Sequence, residues 1–354
     1  MSEERSWLVL ADGWLTARNA KTAHGVIKYG RGRIAAVVDR EHAGRSLIDV
    51  LPQLGRDAPI VPDVQQGLAY EPTSLLLGVA TPGGWIPDHW RAWVVTAIEH
   101  GLEIANGLHV FLNEDPELVR LARRHGAQLW DVRDPPADIA LFSGRTLALP
   151  KRVVLTVGSD CAVGKMTATL ELASAGHAEG YSTQFVPTGQ TGILIAGWGI
   201  AVDRVISDFV AGASERLACE THPSTDVVMV EGQGSLWHPA YSAVTLGLLH
   251  GACPDVMVLC HKAGRDAIEE PPYTKLPPLA EMVATYEQMA STLRPSKVAC
   301  IAVNCGEGVD RERELRSIED ETGLVAGDVF AGDAPRLWKA VASALPPRRG
   351  HHHA

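Results

Sequence analysis

One stretch limits what this chain can fold into more than any other: VVLTVGSDCAVGKMT, Val153 to Thr167. An apolar strand runs into a glycine-bracketed loop, and the loop opens a helix. That order aims backbone N–H groups and the positive helix end at one point, where an anion is held. It also implies an α/β unit, because a strand that feeds a helix needs a crossover to the next parallel strand. Lys165 would add a mobile positive charge at the phosphates.

The loop departs from the usual phosphate-binding form G-x-x-x-x-G-K-[ST]. Five residues separate Gly158 from Gly164, Met166 stands where the hydroxyl residue belongs, and Thr167 follows one step late. The hydroxyl after the lysine normally coordinates the Mg²⁺ that bridges the phosphates. One step along a helix turns a side chain by about 100°, so Thr167 does not substitute for it. The loop is therefore expected to hold phosphate better than it supports Mg²⁺-dependent hydrolysis.

The same strand–helix rhythm extends over the whole chain. In the first half, strands are expected at Arg33 to Asp39, Ser74 to Ala80 and Leu108 to Leu112, with helices at Asp88 to Leu102 and Asp115 to Gly126. Asp115, Pro116 and Gly126 supply the N-cap, first position and stop of the latter. In the second half, strands are expected at Arg152 to Val157, Ser182 to Thr188, Asp226 to Gly232, Asp255 to His261 and Lys297 to Asn304. Helices are expected at Lys165 to Ala178, Asp203 to Ala218, Ser242 to Gly251 and Leu279 to Leu293. These strands show little polar alternation, as when helices cover both faces of a parallel sheet. Three prolines in Asp131 to Pro150 mark a boundary, giving domains 1–148 and 149–347 and a tail, 348–354, that includes three histidines. The expected fold is α/β with two domains, the first Rossmann-like.

At 354 residues with a formal charge of −10, 46% hydrophobic and 21% charged residues, the chain has the composition of a soluble protein and lacks the basic footprint of a nucleic-acid binder. No apolar run reaches the ~18 residues of a membrane span. The opening MSEERSWLVLADGW has no basic stretch before its apolar patch, so a cytoplasmic protein is expected. The six cysteines form no C-x-x-C pair and are expected as free thiols, and no metal is expected.

Other candidates fall where strands end, at the edge where α/β proteins bind ligands. Thr188, Gly189, Gln190, Thr191 and Gly192 would bind a carboxylate or phosphate, or form a plain turn. Glu231 emerges from an apolar strand into a glycine-rich turn with Gln233, Ser235, His238 and Tyr241. It would act as general base, position a metal, or cap a helix. His261, Lys262 and Arg265 follow a later strand. Asp203 reads as an N-cap, and Asp208 on the same helix as a catalytic or a solvated carboxylate. Asn304 would reach an adenine edge or cap a helix. In the first domain Arg91 and His109 would contact an anion or cover surface. No G-x-G-x-x-G with an acidic ribose ligand is present, so an NAD-dependent dehydrogenase is not indicated.

With GSDCAVGKMT, TGQTGILIAGWGIAVDRVISDFVAGASE and VEGQGSLWHPAYSAVTLGLLHGACPD in one chain, the sequence resembles a bacterial and archaeal family long catalogued as of unknown function and now associated with D-glutamate N-acetyltransferase. The resemblance covers essentially the whole chain. It implies a Rossmann-like domain followed by a P-loop domain, and transfer of acetyl from acetyl-CoA to the amino group of D-glutamate. Under it, Gly158, Ser159, Gly164, Lys165 and Thr167 anchor the CoA phosphates, with Asp160, Met166 and Asn304 in the same cofactor site. Thr188 to Gly192, Gln233, Ser235 and Arg265 bind the amino acid, and Glu231 or His238, with Asp208 as a further candidate, deprotonates the ammonium. Amides near Gly232 to Ser235 stabilise the oxyanion. The loop is also similar to that of dethiobiotin synthetase, which keeps an ATP- and Mg²⁺-dependent ligase or kinase open as the alternative; Met166 argues against it. A nucleotide sensor without turnover is a third reading. A small-molecule substrate, no nucleic acid, no membrane and a homo-oligomer are expected.

Overall fold

The computed structural model describes residues 5–270 and 273–347, so the expected tail at 348–354 lies outside the described residues. The described residues separate into two compact units, 5–134 with 190–201 and 135–189 with 202–270 and 273–347. Each is built on a six-stranded parallel sheet.

The first sheet comprises β1 (Ser6–Leu10), β2 (Arg33–Val38), β3 (Ile60–Val61), β4 (Ser74–Leu77), β5 (Glu103–Asn106) and β6 (Leu129–Asp131), in the order β3-β2-β1-β4-β5-β6. Every residue of β1 and β4 is buried, which explains their unbroken apolar runs. The apolar patch near the N-terminus is thus a central strand. Helix Pro116–His125 follows its expected caps: Asp115 accepts from the amides of Glu117 and Leu118, and Gly126 closes it at φ 68°.

The second sheet comprises β7 (Arg152–Gly158), β8 (Thr183–Val186), β9 (Val227–Val230), β10 (Val256–Lys262), β11 (Lys297–Asn304) and β12 (Val325–Asp328), in the order β12-β11-β10-β7-β9-β8. Helices Lys165–Ala178 and Ala334–Ala344 cover one face, where Leu172, Met229, Val258, Leu337 and Trp338 form the core. Burying side chains of this size contributes about 1.5–3 kcal/mol each.

Several elements differ from the sequence expectation; strand Ser74–Leu77 and helix Asp88–Glu99 each end three residues before their expected ends, Ala80 and Leu102. Leu108 to Leu112 is not a strand. Asn106 Nδ2 donates to the Val110 carbonyl, its Oδ1 accepts from the Leu108 amide, and Asp131 accepts from the Leu112 amide. Those side chains satisfy the backbone that a strand would pair, and the strand is Glu103–Asn106 instead. The helix expected from Asp203 starts at Val210, preceded by two short 3₁₀ turns, Val202–Arg204 and Ser207–Phe209, with Ile206 extended between them. Asp203 therefore does not cap that helix. Helix Leu279–Ala290 ends three residues early.

Residues 135–148, placed with the first domain from their prolines, group with the second unit. The Ser143 amide and hydroxyl and the Arg145 amide donate to the Glu215 carboxylate, and Thr146 Oγ1 donates to the Gly251 carbonyl. Helix Gln190–Ala196, conversely, groups with the first: Thr191 Oγ1 bonds Thr22 Oγ1 at 2.9 Å, and Arg133 donates to Gln190 Oε1 at 3.0 Å. None of the six cysteines is in a disulfide. Among the described residues no helix is long and apolar enough to cross a membrane.

Candidate functional site: the phosphate loop and its supports

Strand β7 delivers the chain to Gly158, and residues 159–164 turn it into helix Lys165–Ala178. Gly164 sits at φ 105°, a conformation side chains rarely adopt, and lets the helix begin directly at Lys165. The Ser159 amide donates to the Cys260 carbonyl at 2.9 Å, pinning the loop to β10. Tyr286, buried on helix Leu279–Ala290, donates to the Gly158 carbonyl at 2.7 Å, and Ser235 Oγ donates to the Ser159 carbonyl at 2.9 Å. His261 Nδ1 lies 2.9 Å from Ser159 Oγ.

Lys165 is buried, and its Nζ donates to the Asp160 carbonyl at 2.8 Å. Burial pulls its pKa below the ordinary lysine value, against the opposing pull of Cys161, Cys260, Asp160 and Glu231. The cation thus folds back onto its own loop, where an arriving anion would exchange for the carbonyl. Met166 is half-buried and Thr167 buried. Thr169 is committed elsewhere, donating to the Lys165 carbonyl and bonding Thr156.

Glu231 follows β9 and is buried beside this loop. Its carboxylate accepts from the amides of Thr188 at 3.0 Å and Gly189 at 3.3 Å, while Thr188 Oγ1 donates to the Glu231 carbonyl at 2.7 Å. Burial pushes the carboxyl up to about 7, against those two amides and Lys165. Gly232 is needed next, since a Cβ there would lie 1.8 Å from the Thr156 carbonyl oxygen. Burial and the neighbouring Arg265 push His261 down to about 4.

Arg265 does not stand open for a substrate carboxylate. It donates to Asp160 Oδ2 at 2.7 Å and to the Cys161 carbonyl at 3.1 Å, and it pairs with Glu269. Asp160 in turn accepts from the amides of Cys161 and Glu269. Both carboxylate oxygens are therefore engaged in shaping the loop.

His238 comes to the same place. A ring nitrogen of His238, Cys161 Sγ and an Asp160 oxygen lie within 4.8 Å of one another, a donor set of the kind that holds a cation. The ring's hydrogen bonding speaks against a ligand role. Nδ1 accepts from the Ala240 amide at 3.3 Å, which assigns the proton of a neutral ring to Nε2, and buried Nε2 has no partner among the described residues. A protonated Nε2 neither ligates a metal nor accepts a proton; it donates.

The other candidates are more scattered. Gln233 is half-buried beside Gly189, and Asn304 ends β11. Asp208 is exposed on its 3₁₀ turn, and no bond among the described residues ties it to the loop. Gln190, Thr191 and Gly192 lie on the helix that belongs to the first unit. Two residues went unmarked in the sequence: Tyr286, a lone tyrosine in an amphipathic helix, and Phe330, exposed on the turn after β12 with its ring 3.1 Å from where a Gly164 Cβ would stand.

At the corresponding edge of the first sheet, the carboxylates are occupied. Asp12 accepts from the Arg40 amide and guanidinium and from His89, and Asp39 accepts from the Gly13 amide and His42. Burial works against ionisation of Asp12, but the Arg40 bonds outweigh it and hold the carboxyl below its usual range. Arg91 pairs with Asp115 at 2.6 Å and Glu117 at 2.7 Å and is not an open anion ligand. A cavity of about 350 Å³ opens beyond β4 and β5, with His109 in its wall.

Residues 140–338 match the family described as "Domain of unknown function (DUF1611_C) P-loop domain", and residues 40–135 match its N-terminal "Rossmann-like domain". The chain belongs to the DUF1611 family. A crystal structure of a DUF1611 family protein from Anabaena variabilis ATCC 29413 is 37% identical and superposes with a TM-score of 0.91, over 96% of this chain and 100% of that one. Two curated relatives are named D-glutamate N-acetyltransferase. The one from Tritonibacter scottomollicae is 37% identical over 76% of this chain and 81% of its own. The one from a Pseudoalteromonas species is 39% identical over 65% and 69%. Both expected domain types, Rossmann-like and P-loop, thus agree with the DUF1611 assignment.

Proposed function

We propose that this DUF1611 protein transfers acetyl from acetyl-CoA to the amino group of D-glutamate or a related amino acid. The reading is supported by the names of the two relatives. The observation that carries it is the loop itself: a buried lysine at a helix start, followed by Met166 rather than a magnesium-binding hydroxyl. Such a loop suits a ligand whose phosphates are held and not cleaved, as the phosphates of CoA are.

The length of CoA then constrains the roles. Its pantetheine arm is about as long as four extended residues, roughly 14 Å. With the diphosphate at Lys165 and the arm extended, the thioester would stand that far from Glu231 and His238, which flank the loop. An extended arm therefore favours a general base and an oxyanion site away from Glu231, His238 and the amides of Gly232 to Ser235. In this reading Glu231 and His238 serve the phosphate end: Glu231 orders the Thr188–Gly189 amides, and His238 offers an Nε2–H donor.

The test is thiol release from acetyl-CoA with D-glutamate, L-glutamate or D-aspartate, beside phosphate release from ATP and Mg²⁺. D-glutamate-dependent thiol release, absent in Lys165→Ala, is the expected result. Phosphate release without thiol release would move the protein to the ATP-dependent ligases or kinases. Tight nucleotide binding with neither product would make it a sensor.

A further inference from the structure

The cavity in the first unit has no counterpart among the residues that serve the phosphate loop. It lies beyond the C-terminal ends of two adjacent parallel strands, β4 and β5, where ligands bind in open α/β sheets. Among the described residues its lining includes Thr81, Gly83, Gly84, Gly107, His109 and Gln190, and no aspartate or glutamate. At about 350 Å³ it falls at the small end of ligand sites, roughly 300–1,000 Å³, too small for a dinucleotide.

Its polar groups are already oriented. Arg133 donates to Gln190 Oε1 at 3.0 Å, so the Gln190 amide nitrogen, with its two N–H donors, is the end left for a ligand. Thr81 Oγ1 spends its hydrogen on the Trp85 carbonyl and keeps lone pairs to accept with. A donor and an acceptor, with no carboxylate among the described lining residues, match the carboxylate and ammonium of one small molecule. Space is made by missing side chains: a Cβ on Gly84 would stand 2.9 Å from His109, and one on Gly107 would stand 3.4 Å from Gln190 Cγ.

We propose that this cavity binds the free amino acid, with its carboxylate on Gln190 and its ammonium toward Thr81. That the bound amino acid is the acetyl acceptor rests on the reading above; that an amino acid binds here does not. The site gives the Rossmann-like unit a substrate role and gives Gln190 a purpose apart from the phosphate loop.

The experiment titrates D-glutamate, L-glutamate and glutarate, which lacks the ammonium, into the full chain by calorimetry, with and without CoA. It compares wild type with Gln190→Leu, Gly107→Val and, should the valine impair folding, Gly107→Ala. Steady-state KM values are measured for amino acid and acetyl-CoA in parallel. The cavity variants are expected to weaken amino-acid binding at least tenfold and to raise its KM by the same factor, leaving the acetyl-CoA KM unchanged and the protein folded by circular dichroism. Glutarate should bind more weakly than glutamate to the wild type. Unchanged amino-acid affinity and turnover in folded variants would overturn the site and leave acetyl transfer standing. Amino-acid binding that the variants abolish in a protein without thiol release would uphold the site and remove acetyl transfer. No amino-acid binding to wild type under either condition would also overturn the site.

Discussion

The first sheet places two buried carboxylates just beyond β1 and β2, and both are consumed: Asp12 by Arg40 and His89, Asp39 by Gly13 and His42. At the same edge of the second sheet the buried carboxylate Asp160 is likewise consumed, by Arg265, but the buried ammonium of Lys165 donates, among the described residues, to a carbonyl of its own loop. The two parallel sheets of six strands thus end in different chemistry. An ion pair already closed within the protein stabilises its loops and leaves little for a ligand. A buried ammonium whose hydrogen bond goes to a neutral carbonyl gains by exchanging it for an anion, because a paired buried charge is far less costly than an unpaired one. What each edge can bind follows from how completely its charges are matched internally.

This contrast is most exposed to failure at Lys165. Replacing it with alanine is expected to lower acetyl-CoA-dependent thiol release on the order of a hundredfold, ~3 kcal/mol, with circular dichroism unchanged. A loss below threefold would mean that the loop cation does not serve a ligand. Steric demand differs between the units in the same sense. Gly232→Ala would drive a Cβ to 1.8 Å from the Thr156 carbonyl, and about 3 kcal/mol of stability is expected to be lost in urea unfolding. Gly107→Ala, with its nearest neighbour at 3.4 Å, should cost less than about 1 kcal/mol. Equal losses would show that the cavity wall is as tightly built as the phosphate loop.

The second edge should also carry opposing pH dependences. Glu231 is pushed up to about 7, so its contribution to stability is full below pH 4.5 and lost as pH rises through 7. His261 is pushed down to about 4, so its contribution is full above pH 6.5 and lost as pH falls through 4. Between pH 4.5 and 6.5 the two slopes offset, each on the order of 3 kcal/mol over its full range. Glu231→Gln should leave a urea midpoint that rises with pH in that window, and His261→Gln one that falls. Two flat profiles would contradict the burial argument. The smallest effect is expected at Met166→Thr, which restores a hydroxyl after the lysine. Magnesium-dependent ATP affinity should rise a few-fold at most, with thiol release unchanged, measured with a fluorescent ATP analogue.

Much of the second unit was legible in the chain. Apolar runs without alternation located β7, β9, β10 and β11, and the glycine loop located the start of helix Lys165–Ala178. These signals are local: a strand buried on both faces must be apolar throughout, and a helix that begins at a left-handed glycine announces itself. The first unit was less readable because its strands are short. β3 has two residues and β6 three, and the Leu108–Leu112 run resembles a strand until the side chains of Asn106 and Asp131 are seen to take its backbone bonds.

For the site, the residues in order were enough to show a P-loop-type glycine turn at a helix start, Met166 where the magnesium-binding hydroxyl belongs, and Glu231 at a strand end nearby. The folded chain was needed to show that Arg265 is spent on Asp160, that Tyr286 holds the Gly158 carbonyl, that His238 Nδ1 accepts from the Ala240 amide, and that Gln190 faces a cavity in the other unit from Gly189. The physical reason is the range of the forces. Backbone geometry and apolar periodicity are written within a few residues, whereas the partners of Asp160 and of the Gly158 carbonyl lie more than a hundred residues away, and such partners decide whether a group is open to a ligand.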